Sequence, residues 1–180
     1  SVALGLVPFH SQVTINGAIW LPESYSTPLC VDGYSGLDPS REAADIVTNV
    51  FLNDSQVEKH TEPQRGGEFL AENCPPSALT PLTQDKLLIE QTILQLPNAS
   101  GTSTESAHGM IWGIRTLLEG WQGRWNLEAL PRTNVNKVLI LLTDGSDTSK
   151  NMEYLVDAGL CEQARLNQID LWFIGFGVSE

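Results

Sequence analysis

Residues 137–145 read KVLILLTDG, and this stretch decides the fold class. Residues 138–142 form an uninterrupted aliphatic run, which is typical of a strand whose two faces are covered by helices, so we expect a central strand of a parallel sheet. Residues 152–167 then show a helical pattern, and residues 169–176, IDLWFIGF, predict a second strand. A strand, a helix and a strand in succession predict an α/β fold.

The first half of the chain predicts a hairpin and two helices. Residues 2–9 predict a strand, and residues 12–20 predict its antiparallel partner after a tight turn at His10 and Ser11. Thr83 is the expected cap of a helix that ends before Pro97. A further helix is expected over residues 106–118, where apolar residues recur at three- and four-residue spacing.

An irregular insertion is expected between the hairpin and the Thr83 helix. From residue 21 to residue 80, prolines, glycines and polar runs replace the apolar periodicity. Asp38 and Pro39 supply a cap and a first helical residue, so one helix is expected inside the insertion. Because the chain has 180 residues, 41% of them hydrophobic, residues 1–180 predict a single domain.

The charge of the chain excludes several classes of partner. Its formal net charge is -12 at pH 7, and Lys and Arg, which bind phosphate backbones and anionic lipids, are scarce. Nucleic acid is therefore not an expected partner. No apolar stretch approaches the roughly 20 residues that span a bilayer, and residues 1–9 lack a signal-peptide pattern. We expect no membrane contact by this chain, and any anchor would lie outside it.

The three cysteines lie at positions 30, 74 and 161, without a CxxC pair or a histidine at metal-ligand spacing, which argues against a zinc site. The residues alone leave two readings open. A disulfide between Cys30 and Cys74 suits an oxidising compartment, whereas three buried free thiols suit a reducing one. We predict the disulfide because Cys30 and Cys74 flank the Pro- and Gly-rich stretch, and closing this loop would stabilise the fold by at most about 4 kcal/mol.

Two polar turns are candidate binding positions. Asp144 lies just beyond the carboxyl end of a predicted parallel strand, where open α/β sheets bind ligands, and Gly145 lets the backbone turn sharply. A turn-forming role without a ligand explains Asp144 equally well. Residues 100–104, SGTST, precede the helix predicted at residue 106, and their hydroxyls either cap backbone amides, the commoner role, or face a ligand.

Motifs of catalysis are missing from the sequence. The histidines at positions 10, 60 and 108 belong to no nucleophile signature, and no GxSxG, HExxH, GxGxxG or GxxxxGK[ST] motif occurs. The histidines are interpreted as turn or surface residues, and the tryptophans at 112, 121 and 125 as packing residues. We expect a non-enzymatic protein. The alternative is a hydrolase or nucleotide-dependent enzyme on a similar sheet. Turnover of an ester, a phosphoester or a nucleotide that is abolished by a single substitution would support this alternative.

Four segments resemble, in chain order, parts of a von Willebrand factor A domain. They are VALGLVPF at 2–9, SGTSTESAHGMIWGIRTL at 100–117, KVLILLTDG at 137–145 and IDLWFIGFG at 169–177, which are similar to a sheet strand, the threonine loop, the aspartate strand and the next strand. With GLVPFHSQV at 5–13, PLT at 81–83 and WQGRW at 121–125, the match is closer to the TadG-like proteins that assist assembly of tight-adherence pili.

The resemblance implies a fold, a site and a cellular place. The fold would be a three-layer, doubly wound sheet flanked by helices, in a protein-interaction or adhesion domain. In this family a metal-ion-dependent adhesion site combines a first-strand DxSxS motif, a threonine and the aspartate of a TDG-type turn. Thr102 and Asp144 match the last two, and such oxygen ligands suit Mg²⁺. The implied partner is a pilus or envelope protein, and the domain would face the periplasm or cell surface, with an inner-membrane anchor outside this chain.

The sequence departs from the family at the DxSxS motif, which it lacks. In the family this motif precedes the segment at 2–9, on the central strand of the sheet. We therefore expect the central strand and the main metal ligands to be missing from this chain. One carboxylate and one hydroxyl, from Asp144 and Thr102, are too few to dehydrate Mg²⁺, so no tight Mg²⁺ binding by this chain alone is expected.

Overall fold

The computed structural model describes residues 1–15, 29–31, 75–97, 104–121, 135–144 and 147–176. The described segments contain both helices and small sheets, and the second half runs from a strand through two helices to a strand, which agrees at a coarse level with an α/β fold class. The strands are β1 (Leu4–Leu6), β2 (Val13–Ile15), β3 (Leu29–Val31), β4 (Thr80–Thr83), β5 (Lys137–Thr143) and β6 (Ile169–Gly175). The helices are α1 (Lys86–Leu94), α2 (Ser106–Leu117), α3 (Asn151–Asp157) and α4 (Leu160–Leu166), with a short 3-10 turn at Glu119–Trp121.

Strands β5 and β6 form the parallel pair expected from the two apolar runs. Their register aligns Lys137 with Ile169 and Thr143 with Gly175, over the full length of both strands. One face of the pair packs on the core through Leu139, Leu141 and Leu171. The expectation that β5 is covered on both faces was wrong for the described residues, because Ile140, on the opposite face, is 52% exposed.

The connection from β5 to β6 contains two helices where the sequence predicted one. Helix α3 ends at Asp157 and α4 begins at Leu160, and Gly159 between them has a φ of 95°. A residue in this left-handed conformation ends a helix, and glycine adopts it without a Cβ clash. The conformation of Gly159 therefore explains the break.

Helix α2 lies at the centre of the core. Every residue from Ser106 to Leu117 is buried, and the helix packs against β2, β4, β5 and α3. The helix predicted over residues 106–118 is confirmed. Glycines permit its close packing: a Cβ added to Gly113 would lie 2.6 Å from Leu139 Cδ1 on β5, and one added to Gly109 would lie 2.5 Å from Phe9 Cδ1.

A buried cation lies beside this core. Arg115, 1% exposed, places its guanidinium carbon 4.9 Å from the ring centroid of Trp112 and 5.8 Å from that of Trp121. The two indole rings meet edge to face, with centroids 5.6 Å apart. Burial lowers the pKa of Arg115 to about 9, so the group stays cationic at neutral pH. Both tryptophans have the packing role expected from the sequence.

The predicted N-terminal hairpin was wrong in its pairing. Strand β1 pairs antiparallel with β4 and β2 pairs antiparallel with β3, while among the described residues one bridge, between Phe9 and Val13, joins the two predicted hairpin strands. Pro8 lies within the segment predicted as a strand and has no N–H to donate to a ladder. The chain therefore bends after β1, and the two strands join different sheets.

Helix α1 begins later than predicted. Its cap is Asp85, whose Oδ1 accepts a hydrogen bond from the Leu88 N–H at 3.1 Å, and Thr83 is the last residue of β4. The Thr83 hydroxyl instead accepts a hydrogen bond from the Asp85 N–H at 3.1 Å. The cap prediction was wrong by two residues, because Thr83 is held in the pairing of β4 with β1.

Part of the predicted insertion at residues 21–80 is described. It contains β3, and residues 75–79 lie against β2, where Leu79 N–H donates to Thr14 O at 2.7 Å. The helix predicted after Asp38 and Pro39 lies outside the described residues, as does Cys74, so the disulfide with Cys30 stays a prediction. Among the described helices, none combines the length and apolar character needed to cross a membrane.

Candidate functional site

The candidate site lies at the carboxyl end of β5. Asp144 follows this strand directly and is exposed. Thr102, the second predicted site residue, lies outside the described residues, two positions before Thr104. The segment from Thr104 to Ser106 leads into α2 and contacts residues 147–151, which follow Asp144 in the chain. The chain therefore continues from Thr102 into residues 104–106 and from Asp144 into residues 147–151, and these two segments are hydrogen-bonded to each other.

Asp147 supplies the cap of α2 from a distant part of the chain. The Ser106 N–H donates to Asp147 Oδ1 at 2.8 Å, and the Ser106 hydroxyl donates to Asp147 Oδ2 at 2.5 Å. The local cap position is Glu105, whose own side chain makes no capping bond. A carboxylate at a helix N-terminus is stabilising because it accepts from free amides and faces the positive end of the helix dipole.

Glu105 makes the second connection between the same two segments, and here the carboxylate lies on the segment before α2 and the donors lie on the segment after Asp144. Its Oε1 accepts from the Thr148 hydroxyl at 2.9 Å, and its Oε2 accepts from the Ser149 hydroxyl at 2.5 Å and the Asn151 side-chain amide at 3.0 Å. The Thr148 N–H also donates to Thr104 O at 2.9 Å. We call the residues 104–106 and 147–151, joined in this way, the loop latch.

The N-terminal segment joins the loop latch through one backbone bond. The Glu105 N–H donates to His10 O at 3.0 Å, and the His10 N–H donates to Gln12 O at 3.0 Å. His10 therefore has the turn position expected from the sequence. His108 differs from the prediction of a turn or surface residue, because it lies inside α2 and is only 7% exposed.

The chemistry available at the loop latch is that of structural acceptors. Both oxygens of Asp147 and both oxygens of Glu105 already accept hydrogen bonds from described groups. Among the described residues, Asp144 is the remaining carboxylate at this end of β5, and one carboxylate does not supply the near-octahedral oxygen shell that Mg²⁺ requires. No group of three or more His, Cys, Asp or Glu side chains suited to a metal occurs among the described residues. These residues alone do not fit a metal site.

Glu105 and Asp147 are site residues that sequence reasoning missed. The run Asp147, Thr148 and Ser149 consists of residues that favour helix caps, and it precedes α3. That pattern predicts local capping of α3, and nothing in it points to α2, which begins 41 residues earlier. The serine and threonine hydroxyls before residue 106 pointed to this loop as a binding position. The hydrogen-bond acceptors that the structure shows there are instead the carboxylates of Glu105 and Asp147.

The comparisons with known proteins found no relatives: no family model, no curated protein and no solved structure matches this chain.

Proposed function

We propose that this chain is part of a von Willebrand factor A-like domain that binds a protein and carries out no catalysis, most similar to the TadG-like pilus assembly proteins. The support comes from the order of the four sequence segments and from the loop latch. In the finer form of the proposal, β5 and β6 belong to a three-layer, doubly wound sheet whose central strand is not in residues 1–180.

The loop latch is the single observation that carries the proposal. Metal-ion-dependent adhesion sites need a threonine loop and an aspartate turn side by side at one edge of a sheet. Here Asp147, three residues after Asp144, accepts a hydrogen bond from Ser106, and Glu105, three residues after Thr102, accepts one from Thr148, so each segment holds the other. This arrangement supports the pairing of the two loops without needing a metal ion to hold them.

The partner and the location follow from the resemblance. We propose a pilus or envelope protein as the partner, and a domain facing the periplasm or the cell surface. The net charge of -12 agrees with a protein partner better than with nucleic acid or an anionic membrane, because both of these repel an acidic surface. An inner-membrane anchor outside this chain belongs to the same proposal.

The metal site gives the decisive experiment. Calorimetric titration of this chain with Mg²⁺ or Mn²⁺ is expected to show no saturable uptake, because Thr102 and Asp144 provide too few charged oxygens. A longer protein that carries an upstream DxSxS motif should bind Mg²⁺ and should lose that binding on Asp144→Ala. Asp157→Ala is the matched control, since Asp157 is an exposed acid on α3.

Two results contradict the proposal. Tight Mg²⁺ binding by residues 1–180 would show that the expected missing ligands are not needed. Binding by the longer protein that is unchanged by Asp144→Ala would show that Asp144 is not a metal ligand.

A further inference from the structure

Asp144 lies between two fixed points of the chain. It directly follows Thr143, whose carbonyl oxygen accepts a hydrogen bond from the Phe176 N–H at 2.8 Å, so the end of β5 is tied to the end of β6. Three residues after Asp144, Asp147 accepts hydrogen bonds from the N–H and the hydroxyl of Ser106. Because consecutive Cα atoms are about 3.8 Å apart, Asp144 stays within about 11 Å of Asp147.

Glu105 fixes the same part of the chain a second time. Its carboxylate accepts hydrogen bonds from the side chains of Thr148, Ser149 and Asn151. One carboxylate on each segment of the loop latch therefore accepts from donors on the other segment. This is the reciprocal pattern of a helix capping box, formed here across 41 or more residues of chain. Neither segment can shift past the other without breaking hydrogen bonds at both carboxylates.

The donors in the loop latch are neutral groups. Two loops that present carboxylates to each other repel until a cation binds between them. The carboxylates of Glu105 and Asp147 instead face hydroxyl and amide donors, which form strong hydrogen bonds to an ionised acceptor. Asp147 also faces the positive end of the α2 dipole. The pairing of the two segments therefore has a source of stability that is separate from any ion at Asp144.

We propose that Glu105 and Asp147 are positioning residues of the candidate site, which hold Asp144 and the segment before α2 in one arrangement before any cation or partner binds. A preformed site loses less conformational entropy on binding than a site that its ligand must order. The two roles deepen the proposed function and rest on it, because Asp144 is taken there as a binding residue.

Nuclear magnetic resonance of residues 1–180 in EDTA measures the mobility of Asp144. The backbone amide of Asp144 should have an order parameter of about 0.85, the value of a rigid backbone. Glu105→Ala removes the acceptor of three side chains, so this order parameter should fall to about 0.6 or below. Glu105→Gln keeps one acceptor oxygen and should give an intermediate value. The Thr148 amide, bonded to Thr104 O, should exchange its hydrogen about tenfold faster in Glu105→Ala.

Asp85→Ala is the matched control, because it separates positioning from a general loss of stability. Asp85 caps α1 by accepting from the Leu88 N–H at 3.1 Å, outside the loop latch. Its replacement removes the same charge as Glu105→Ala and also destabilises the protein in urea. The order parameter of Asp144 should nevertheless stay at the wild-type value. If circular dichroism shows that Glu105→Ala is unfolded, Ser149→Ala, which removes one donor to Glu105, should still speed exchange at Thr148 by about threefold.

Three results would overturn the proposal. The first is a mobile Asp144 amide in the wild-type protein in EDTA, and the second is an Asp144 amide that stays rigid in folded Glu105→Ala. The third is an equal fall of the Asp144 order parameter in Asp85→Ala and Glu105→Ala, which would mean that Glu105 acts only on overall stability. None of these measurements involves a metal ion or a partner. Mg²⁺ binding by the longer protein that ignores Asp144→Ala would therefore contradict the proposed function without changing the mobility expected here.

Discussion

Replacing Asp147 by alanine removes the cap of α2 and is expected to destabilise the protein by about 2 kcal/mol. The variant leaves the Ser106 N–H and hydroxyl without their acceptors, which lie at 2.8 Å and 2.5 Å in the wild type. Loss of a helix cap costs about 1 kcal/mol, and hydrogen bonds to a charged group contribute about 1.5–3 kcal/mol. Because the pair is only partly buried, water can hydrogen-bond to the Ser106 groups in place of Asp147 and recover part of this stability, so a net loss near 2 kcal/mol is expected.

Urea unfolding followed by circular dichroism measures this loss. For a chain of this size, about 2 kcal/mol corresponds to a fall in melting temperature of about 4–8 °C. Asp157→Ala removes an equal charge from an exposed site on α3 and controls for the change in net charge. Asp147→Asn keeps one acceptor oxygen and should lose about half as much stability as Asp147→Ala.

A double-mutant cycle with Ser106→Ala isolates the interaction. Because Ser106 and Asp147 are bonded directly, their substitutions should couple by about 0.5 kcal/mol or more. Hydrogen exchange gives a second measurement: the Thr148 amide, bonded to Thr104 O, should exchange faster in Asp147→Ala. Asp147 does not cap α2 if Asp147→Ala is no less stable than Asp157→Ala and the Thr148 amide keeps its protection.

Two further predictions concern the packing of α2. Arg115→Ala should cost about 3–5 kcal/mol in urea unfolding, because it empties a buried position between two indole rings, whereas Arg115→Met keeps an apolar side chain of similar length and should cost clearly less. Equal losses in the two variants would contradict a packing role. Gly109→Ala should be less stable than Gly113→Ala by about 1 kcal/mol or more. The new Cβ at position 109 would meet the rigid ring of Phe9, whereas the new Cβ at position 113 would meet the movable end of the Leu139 side chain. A higher melting temperature for Gly109→Ala than for Gly113→Ala would disprove this.

The parts of the fold that the sequence predicted well are those set by local periodicity. The aliphatic run at 138–142 became β5, and the three- and four-residue spacing of apolar residues became α2. Patterning could not predict pairing partners. Strands β1 and β2 are only three residues long, so their partners depend on where β4 and β3 lie in space rather than on their own residues.

The sequence by itself determined the α/β class, the position of Asp144 at the end of a parallel strand, and the net charge of -12. These properties follow from local patterns and composition, which act on residues close together in the chain. Only the tertiary structure decided that Asp147 caps a helix 41 residues away, that Arg115 is buried between two indoles, and that one apolar face of β5 and β6 is exposed. The cap depends on a contact between segments distant in sequence, and the burial of Arg115 and the exposure of β5 and β6 depend on which other elements pack around them, so no local pattern carries a signal for any of the three.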